Sequence, residues 1–186
     1  MADLIYTTNV SLDGFIEDDR GSFDFAVPHD DFFAFITDLE RSAGTYLYGR
    51  RLYEAMAVWE TDPALGAQSG LMADFANMWQ AADKVVYSTT LEGVATAKTR
   101  LERAFDTDAI GAMKASATGH LTIGGANLAR QAFEAGLIDE CRLFISPVLL
   151  GGGKPALPSG MRVQLELIDE QRFSGGLVYL RYRVAI

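Results

Sequence analysis

One stretch, residues 120–130, restricts the fold of this chain more than any other. β-forming residues lead into Gly124 and Gly125, and a helical pattern with Leu128 and Ala132 on one face follows at once. A strand that turns through glycines into a helix leaves the first N–H groups of the helix unpaired above the strand's carboxyl end. Because glycine has no Cβ atom, a ligand can approach such a turn closely. The stretch is therefore either an anion-binding site or simply a tight turn between a strand and a helix.

Segments with strand character alternate with helical segments along the whole chain. Strand patterns occur at residues 4–12, 45–48, 84–87, 96–101, 120–123 and 139–146, and helical patterns at residues 32–39, 52–56, 73–82, 107–115 and 128–135. The tail, residues 163–184, has the pattern of a β-hairpin. This order predicts an α/β fold, a three-layer αβα sandwich with a mixed, mostly parallel central sheet and a C-terminal antiparallel hairpin. Since no repeat or linker divides the chain, residues 1–186 are predicted to form a single domain.

Two local features add detail to this prediction. Asp30 or Asp31 can cap the helix predicted at residues 32–39. Trp59 is predicted to lie in a loop, and residues 15–27 form an acidic and aromatic loop after the first strand.

Three predicted strands end in polar or glycine-rich residues, and ligands of such folds gather at the carboxyl ends of the strands. The first ending, Gly49-Arg50-Arg51, places guanidinium groups at a helix start, where they can bind a phosphate or pair with surface carboxylates. The second, residues 88–90, offers hydroxyl groups to a phosphate or ribose, or merely terminates a strand. The third is the glycine pair described above. Together the three endings match the parts of a phosphorylated dinucleotide.

The composition excludes several classes of function. A net charge of -9 without a basic run argues against general binding to nucleic acid or anionic membranes. Two histidines and one cysteine do not make a zinc site, so no metal is predicted, and Cys141 is expected to be buried. No stretch approaches the ~20 apolar residues of a membrane helix, and no leader is visible, so a cytoplasmic location is expected.

Five motifs resemble, in the same order, those of the dihydrofolate reductase-like superfamily. The most similar branch is the reductase domain of bifunctional riboflavin-biosynthesis proteins (the RibD C-terminal domain) and its stand-alone relatives. The resemblance covers nearly the whole chain. The motifs are Asn9-Val10-Ser11-Leu12-Asp13-Gly14-Phe15-Ile16, Gly49-Arg50-Arg51-Leu52-Tyr53-Glu54, Val86-Tyr87-Ser88-Thr89-Thr90-Leu91, Ile123-Gly124-Gly125-Ala126-Asn127-Leu128, and residues 137–140 with 145–153.

The resemblance implies an NADPH-dependent reductase with a central sheet of about eight strands, usually a homodimer. It also implies roles for residues along the motifs. By similarity, Gly49, Arg50 and Arg51 would hold phosphates of NADPH, and Ser88 and Thr89 would lie near the adenosine 2′-phosphate. The pyrophosphate would be cradled by Gly124, Gly125 and the N–H groups of Ala126, Asn127 and Leu128. Val10 and Ile16 would flank the nicotinamide, and Trp59 would line the substrate cleft.

The sequence departs from the family pattern in two places. Leu52 stands where the pattern often has Thr or Ser, so one hydroxyl that could touch phosphate is missing. The carboxylate that dihydrofolate reductases carry in their first helix aligns best with Asp31, but an ordinary helix cap is the favoured explanation of this residue. Asp13 is a second catalytic candidate, for substrate contact or proton delivery, but Asp-Gly is also a common turn pair.

Two functions fit these observations. The first is an NADPH-dependent reductase that transfers a hydride to a small heteroaromatic (pterin- or pyrimidine-like) or carbonyl substrate, with Asp13 and Trp59 near the substrate. The second is a cofactor-binding oligomeric module of the same fold without efficient turnover. The sequence favours neither riboflavin-pathway nor folate reduction, and it carries no zinc-deaminase motif.

Overall fold

The computed structural model describes residues 1–25 and 29–185. Ala26 and Val27, at the end of the loop expected at residues 15–27, lie outside the described residues. The strands are β1 (Leu4–Ser11), β2 (Phe15–Glu17), β3 (Ala43–Gly49), β4 (Asp83–Tyr87), β5 (Thr99–Glu102), β6 (His120–Gly124), β7 (Glu140–Ser146), β8 (Lys154–Pro155), β9 (Leu165–Arg172) and β10 (Val178–Val184). The helices are α1 (Asp30–Glu40), α2 (Arg50–Met56), α3 (Val58–Thr61), α4 (Pro63–Gly66), α5 (Gly70–Ala81), α6 (Thr107–Ser116) and α7 (Ala126–Glu134).

Eight strands form the central sheet in the order β5-β4-β3-β6-β1-β7-β10-β9. The strands from β5 to β7 are paired in parallel, whereas β10 pairs antiparallel with both β7 and β9. The predicted fold class, with its C-terminal antiparallel hairpin, is therefore confirmed. Because the parallel strands all point the same way, their carboxyl ends lie at one edge of the sheet.

Alternating side chains of the strands pack against helices on both faces of the sheet. Leu47 points into the core beneath α6 and α7, while its neighbours Tyr46 and Tyr48 pack against α2 and α5. Helix α1 covers Phe144 and Tyr179, at the β7–β10 side of the second face. The sheet is thus buried on two sides by helices, as the alternation of strand and helix patterns predicts.

Two local predictions are wrong, although the predicted overall architecture is confirmed. Helix α1 begins at Asp30 with His29 as its N-cap residue and has no side-chain cap hydrogen bond, so the predicted capping role of Asp30 or Asp31 is wrong. Trp59 lies in the short helix α3 and not in a loop. The carboxylate of Asp31 instead accepts a hydrogen bond from the N–H of Ser174 at 2.7 Å, a tertiary contact that local residue preferences do not encode.

A small two-stranded sheet, β2 with β8, lies beside the carboxyl end of β1. Gly153 permits it, because a Cβ atom there would overlap the carbonyl oxygen of Glu17 and the residue has a φ of +129°. Within residues 1–25 and 29–185, no helix is both long and apolar enough to cross a membrane. In the same part of the chain, no three His, Cys, Asp or Glu residues are grouped as metal ligands.

Candidate functional site

The three strand ends singled out in the sequence lie next to one another. Strands β4, β3 and β6 are neighbours in the sheet and run in parallel, so residues 88–90, 49–51 and 124–125 meet at one edge. We call these residues the rim. At its centre, a Cβ atom built on Gly125 would lie 3.8 Å from the backbone nitrogen of Gly49. Two helix starts, those of α2 and α7, therefore stand side by side.

Neither helix start at the rim carries a side-chain cap. Gly49 is the N-cap residue of α2 and Gly125, with a φ of +96°, is the N-cap residue of α7, and no side chain accepts a hydrogen bond from either first turn. Nothing lies within 4 Å of the position of a Cβ atom on Gly49. In α7 the Leu128 N–H already donates to the carbonyl of Gly125 at 3.1 Å, so the donors left at that helix start are the N–H groups of Ala126 and Asn127. Two adjacent helix N-termini, with open space at Gly49, favour an anion. The rim therefore fits a diphosphate-like group.

Arg50 connects the first strand end to the second. Its Nε donates to Glu54 at 2.8 Å and its Nη1 donates to the Thr90 hydroxyl at 2.9 Å, while about half of the side chain stays exposed. Arg51 is turned the other way, towards the loop after β2, where it donates to Glu17 at 2.9 Å and to the carbonyl of Gly21 at 3.1 Å. The two arginines thus occupy different parts of the rim and cannot be assigned the same role.

The second strand end is organised by Ser88. Its hydroxyl accepts hydrogen bonds from the backbone N–H groups of Thr90 at 3.2 Å and Leu91 at 3.0 Å, which closes the turn after β4. Thr89 lies exposed at the tip of that turn. Arg103, which belongs to none of the sequence motifs, donates to the carbonyls of Ser88 at 3.0 Å and Leu91 at 2.6 Å and fixes the turn from behind.

A cavity of about 450 Å³ opens beside the rim, between α1, α2 and α3 and the carboxyl halves of β1, β3 and β6. Arg51, Gly124 and Gly125 belong to its lining, so the rim and the cavity are continuous. Leu52 also lines it and lies over Gly124, where an added Cβ atom would overlap Leu52 Cδ2. The missing hydroxyl at position 52 is thus replaced by an apolar contact within the site.

Aromatic side chains form a large part of the cavity wall. Trp59 packs at 4.7 Å from the ring of Phe75 and at 5.7 Å from that of Phe33, and Tyr46 stacks on Tyr48 at 5.5 Å. All five rings belong to the lining. An apolar aromatic cleft of this kind excludes water and accepts a flat ring.

The two residues expected near the nicotinamide differ in their positions. Ile16, on β2, lines the cavity together with Trp59. Val10 is 4% exposed and does not belong to the lining drawn from the described residues. By alternation it shares a side of β1 with Tyr6, which packs in the core beneath α6 and α7, although Thr8, on that same side, also reaches the lining.

Asp13 holds the loop that follows β7. Its carboxylate accepts hydrogen bonds from the Ser11 hydroxyl at 2.6 Å and from the N–H groups of Leu150 at 3.1 Å and Gly151 at 2.7 Å. These bonds, that of Ser11 first, lower the pKa of Asp13 below its ordinary value. A fully exposed carboxylate held in its ionised form is suited to fixing a loop.

Asp31 connects the start of α1 to the C-terminal hairpin. Its Oδ2 accepts from the N–H of Ser174 at 2.7 Å, and this bond is the main reason that the pKa of Asp31 is lowered. The lining of the cavity, as drawn from the described residues, includes neither Asp31 nor Asp13.

Among the described residues, the carboxylates of Glu17, Glu40 and Glu54 line the cavity, and the buried one is Glu40. Glu40 is the last residue of α1 and is not among the candidates named from the sequence. It is 5% exposed, and it accepts from the hydroxyl of Thr122 at 3.0 Å and, more weakly, from that of Thr7 at 3.4 Å. Burial raises the pKa of Glu40, while the positive charge of Arg142, 3.5 Å away, opposes the shift. The sequence contains one indication that Glu40 faces the protein interior, because it follows Phe33 and Ile36 at the spacing of one helix face.

The geometry of the rim and the cavity agrees with the comparison of this chain with known proteins. A model of the RibD C-terminal domain family matches residues 2–179. The chain belongs to the RibD C-terminal domain family. This RibD C-terminal domain is 27% identical over 180 residues to the uncharacterised protein YyaP of Bacillus subtilis (strain 168), a match that covers 96% of this chain and 93% of YyaP.

Solved structures share the fold of this RibD C-terminal domain. A Shewanella sp. PV-4 protein provisionally assigned to riboflavin biosynthesis superposes with a TM-score of 0.75 at 24% identity, over 100% of both chains. Dihydrofolate reductase from Enterococcus faecalis, solved in complex with NADP(H) and RAB-propyl, superposes with a TM-score of 0.65 at 13% identity, over 99% of this chain and 97% of the enzyme. The RibD C-terminal domain branch, expected from five motifs, is confirmed by the family match, and the chain shares its fold with dihydrofolate reductase.

Proposed function

We propose that this protein is an NADPH-dependent reductase that transfers a hydride to a small heteroaromatic or carbonyl substrate. The observation that carries the proposal is the continuity of the rim with the aromatic cavity, because Gly124, Gly125 and Arg51 belong to both. A dinucleotide bound along the rim would lie with its phosphates on the two helix starts and its far ring at the mouth of the cavity. The complex of the related dihydrofolate reductase with NADP(H) supports the choice of cofactor.

Residues of the rim and of the neighbouring elements can be assigned to the parts of NADPH under this proposal. The N–H groups of Ala126 and Asn127, above the turn at Gly125, would hold the pyrophosphate, and the Leu128 N–H, which donates to the carbonyl of Gly125 at 3.1 Å, would have to be shared with it. Arg50, with its partner Thr90 and the exposed Thr89 beside it, would hold the adenosine 2′-phosphate. At the other end, Ile16 and Trp59 would contact the nicotinamide.

When bound, the cofactor supplies a hydride, and the chain's own residues supply geometry and a dry environment. The rings of Trp59, Phe33 and Phe75 exclude water from the cleft. The hydroxyls of Thr7 and Thr122 and the carboxylate of Glu40 are the polar groups at its floor, and they orient a substrate ring.

Cofactor binding is tested first, by thermal unfolding with NADPH, NADH and adenosine diphosphate. NADPH at about a hundred times its Kd is expected to stabilise the protein by about 2.7 kcal/mol, which raises the Tm by roughly 5–10 °C. NADH should give a smaller shift because it lacks the 2′-phosphate. No shift with millimolar NADPH would contradict the proposal.

Turnover is tested separately, by following the loss of NADPH absorbance with a panel of pterins, pyrimidines, quinones and aldehydes. One specific observation favours the alternative of a cofactor-binding module without efficient turnover, namely that Leu52 overlies Gly124 where a hydroxyl is frequent in the family pattern. Binding of NADPH without oxidation across the panel would support that alternative. A Leu52→Thr variant that gains NADPH oxidation with a compound of the panel would identify Leu52 as the cause of the missing turnover.

A further inference from the structure

We propose that the hydroxyl of Tyr48 is the buried hydrogen-bond donor that orients the substrate in the cavity. The substrate then carries an uncharged acceptor, a carbonyl oxygen or an unprotonated ring nitrogen, on an apolar skeleton. The inference rests on the proposed function, because it concerns the substrate of that same site. It adds a specificity-determining residue that none of the sequence motifs singles out for this role.

Tyr48 is a buried part of the cavity wall. It is 4% exposed, and it lies on β3 directly before Gly49. Its ring begins beside Gly124, where the rim and the cavity meet, since a Cβ atom built on Gly124 would lie 3.6 Å from Cδ1 of Tyr48. Its hydroxyl lies against the indole of Trp79, which lines the cavity from α5. A ligand that fills the cavity therefore packs along this ring.

The hydrogen bonding of Tyr48 leaves its own proton without an acceptor. The indole N–H of Trp79 donates to Oη of Tyr48 at 3.0 Å. Because an indole nitrogen can only donate, Tyr48 is the acceptor in this bond, and the bond fixes the position of its hydroxyl. Within residues 1–25 and 29–185, no group accepts a hydrogen bond from that hydroxyl. A buried phenol usually has such an acceptor, and a ligand in the cavity can supply it.

The threonine hydroxyls of the cavity lining already donate to protein groups. Thr122 donates to Glu40 at 3.0 Å, and Thr7 donates to the same carboxylate more weakly at 3.4 Å. Thr8 donates to the carbonyl of Asn9 at 3.1 Å. A ligand that needs a donor from these hydroxyls would have to break an existing hydrogen bond, which offsets the gain.

Tyr46 carries the remaining hydroxyl of the lining, and its ring stacks on that of Tyr48. This hydroxyl donates to the sulfur of Met78 at 3.1 Å, so its proton also has an acceptor. The side-chain N–H donors of the lining other than Trp79 are less buried, namely the half-buried Trp59 and Lys154 and the exposed Asn9 and Arg51. Among the described residues, Tyr48 thus carries the buried side-chain donor that is left for a ligand.

Tyr48 is an uncharged donor near neutral pH. Burial raises the pKa of its phenol, and the charge of Glu40 raises it further, while the hydrogen bond from Trp79 acts the other way. Such a phenol keeps its proton, so its role is to orient the acceptor atom and to stabilise negative charge that develops on it during hydride transfer. The nearby charge of Glu40 disfavours an anion as that acceptor.

The first experiment observes the donor directly, by NMR of the wild-type protein with ¹³C at Cζ of its seven tyrosines. The Tyr48 signal is assigned from the proximity of its ring to Trp79. Three compounds of similar size are titrated: 1-indanone, which has a carbonyl oxygen, quinoline, which has a ring nitrogen, and indane, which has no acceptor. We expect the Tyr48 Cζ signal to move downfield with 1-indanone or quinoline and not with indane. The compound that moves it identifies the acceptor atom.

The second experiment removes the donor and keeps the ring. Tyr48→Phe should weaken binding of the acceptor compound relative to indane by roughly twofold to tenfold, the range of a neutral hydrogen bond. The ratio to indane is used because the three compounds differ in apolarity. Tyr182→Phe is the matched control, since it removes a phenol from β10 that does not belong to the lining drawn from the described residues. It should leave the ratio unchanged.

The same response of the Tyr48 signal to all three compounds, no response to any, or an unchanged ratio in Tyr48→Phe would overturn the inference. Because the NMR experiment uses the wild-type protein, it decides even if Tyr48→Phe fails to fold. NADPH titrated in parallel separates this inference from the proposed function. If NADPH binds and the Tyr48 signal does not respond to an acceptor, the proposed function stands and the role of Tyr48 is wrong.

Discussion

Arg50 donates a hydrogen bond of 2.9 Å to the hydroxyl of Thr90, and this bond joins the ends of strands β3 and β4. The two residues are separated by 40 positions in sequence, and the parallel pairing of their strands brings them together. Under the proposed function, this contact would distinguish NADPH from NADH, since a phosphate can replace the hydroxyl as the partner of the guanidinium group.

Arg50→Ala should weaken binding of NADPH by roughly tenfold or more and binding of NADH much less, because a charge-assisted hydrogen bond contributes about 1.5–3 kcal/mol. Arg51→Ala should be less selective, since Arg51 is occupied by Glu17 and Gly21. Calorimetric titration of both cofactors measures the difference. Arg130→Ala, which removes a comparable exposed ion pair from α7, is the control. Equal losses for the two cofactors in Arg50→Ala would show that Arg50 does not contact the 2′-phosphate.

Two glycine-to-alanine substitutions, one at the start of α7 and one inside α6, should change the free energy of unfolding in opposite directions. Gly125→Ala should lower the free energy of unfolding by about 1–3 kcal/mol, because a φ of +96° is strained for any residue with a Cβ atom. Gly111→Ala, inside α6 with open space around it, should raise it by about 0.5–1 kcal/mol. Urea unfolding of both variants measures these changes. An unchanged stability in Gly125→Ala would mean that the turn has another conformation in solution.

Asp13 gives a prediction about pH. Its pKa is lowered in the folded state, so its contribution to stability is present above the ordinary value of 3.8 and is lost as the pH falls through the folded value. Asp13→Asn should therefore be less stable than the wild type at pH 7, and the two should converge in acid below pH 3.8. Urea unfolding at a series of pH values follows the difference. A difference that persists in acid would show that the charge of Asp13 is not what holds residues 150–151.

Cys141 should be unreactive in the native protein. It is 1% exposed in the core of the first face, and burial raises the pKa of its thiol to about 12, so almost no thiolate is present near neutral pH. A thiol reagent should modify it only in denaturant. Rapid modification of the folded protein would indicate that β7 opens readily from the sheet.

Much of the fold can be predicted from the sequence because it follows from the spacing of apolar residues within each strand and helix. The alternation of strand and helix patterns predicts a parallel sheet, and parallel strands necessarily bring their polar ends to one edge. The convergence of Arg50, Ser88 and Gly125 is therefore predictable from the sequence alone, and the order of the strands confirms it. The homodimer, the cytoplasmic location and the roles of the individual rim residues stay predictions.

Glu40 illustrates what the sequence does not reveal. Its helical spacing from Phe33 and Ile36 indicates the buried face of α1, but a glutamate at the end of a helix is usually solvated, so the spacing alone does not predict its burial. Its partners, Thr7, Thr122 and Arg142, come from three strands distant in sequence. Such a cluster depends on tertiary packing. The cap at His29 and the helical position of Trp59 escape sequence-based prediction for the same reason.

The central claim is that one continuous surface, from Thr89 across Gly125 to Ile16, holds NADPH. A crystal structure of the protein soaked with NADPH tests it most directly. We expect the 2′-phosphate beside Arg50, the pyrophosphate on the N–H groups at the start of α7, and the nicotinamide at the mouth of the cavity near Trp59. A cofactor bound away from the carboxyl ends of β3, β4 and β6, or no bound cofactor at saturating concentration, would contradict the claim.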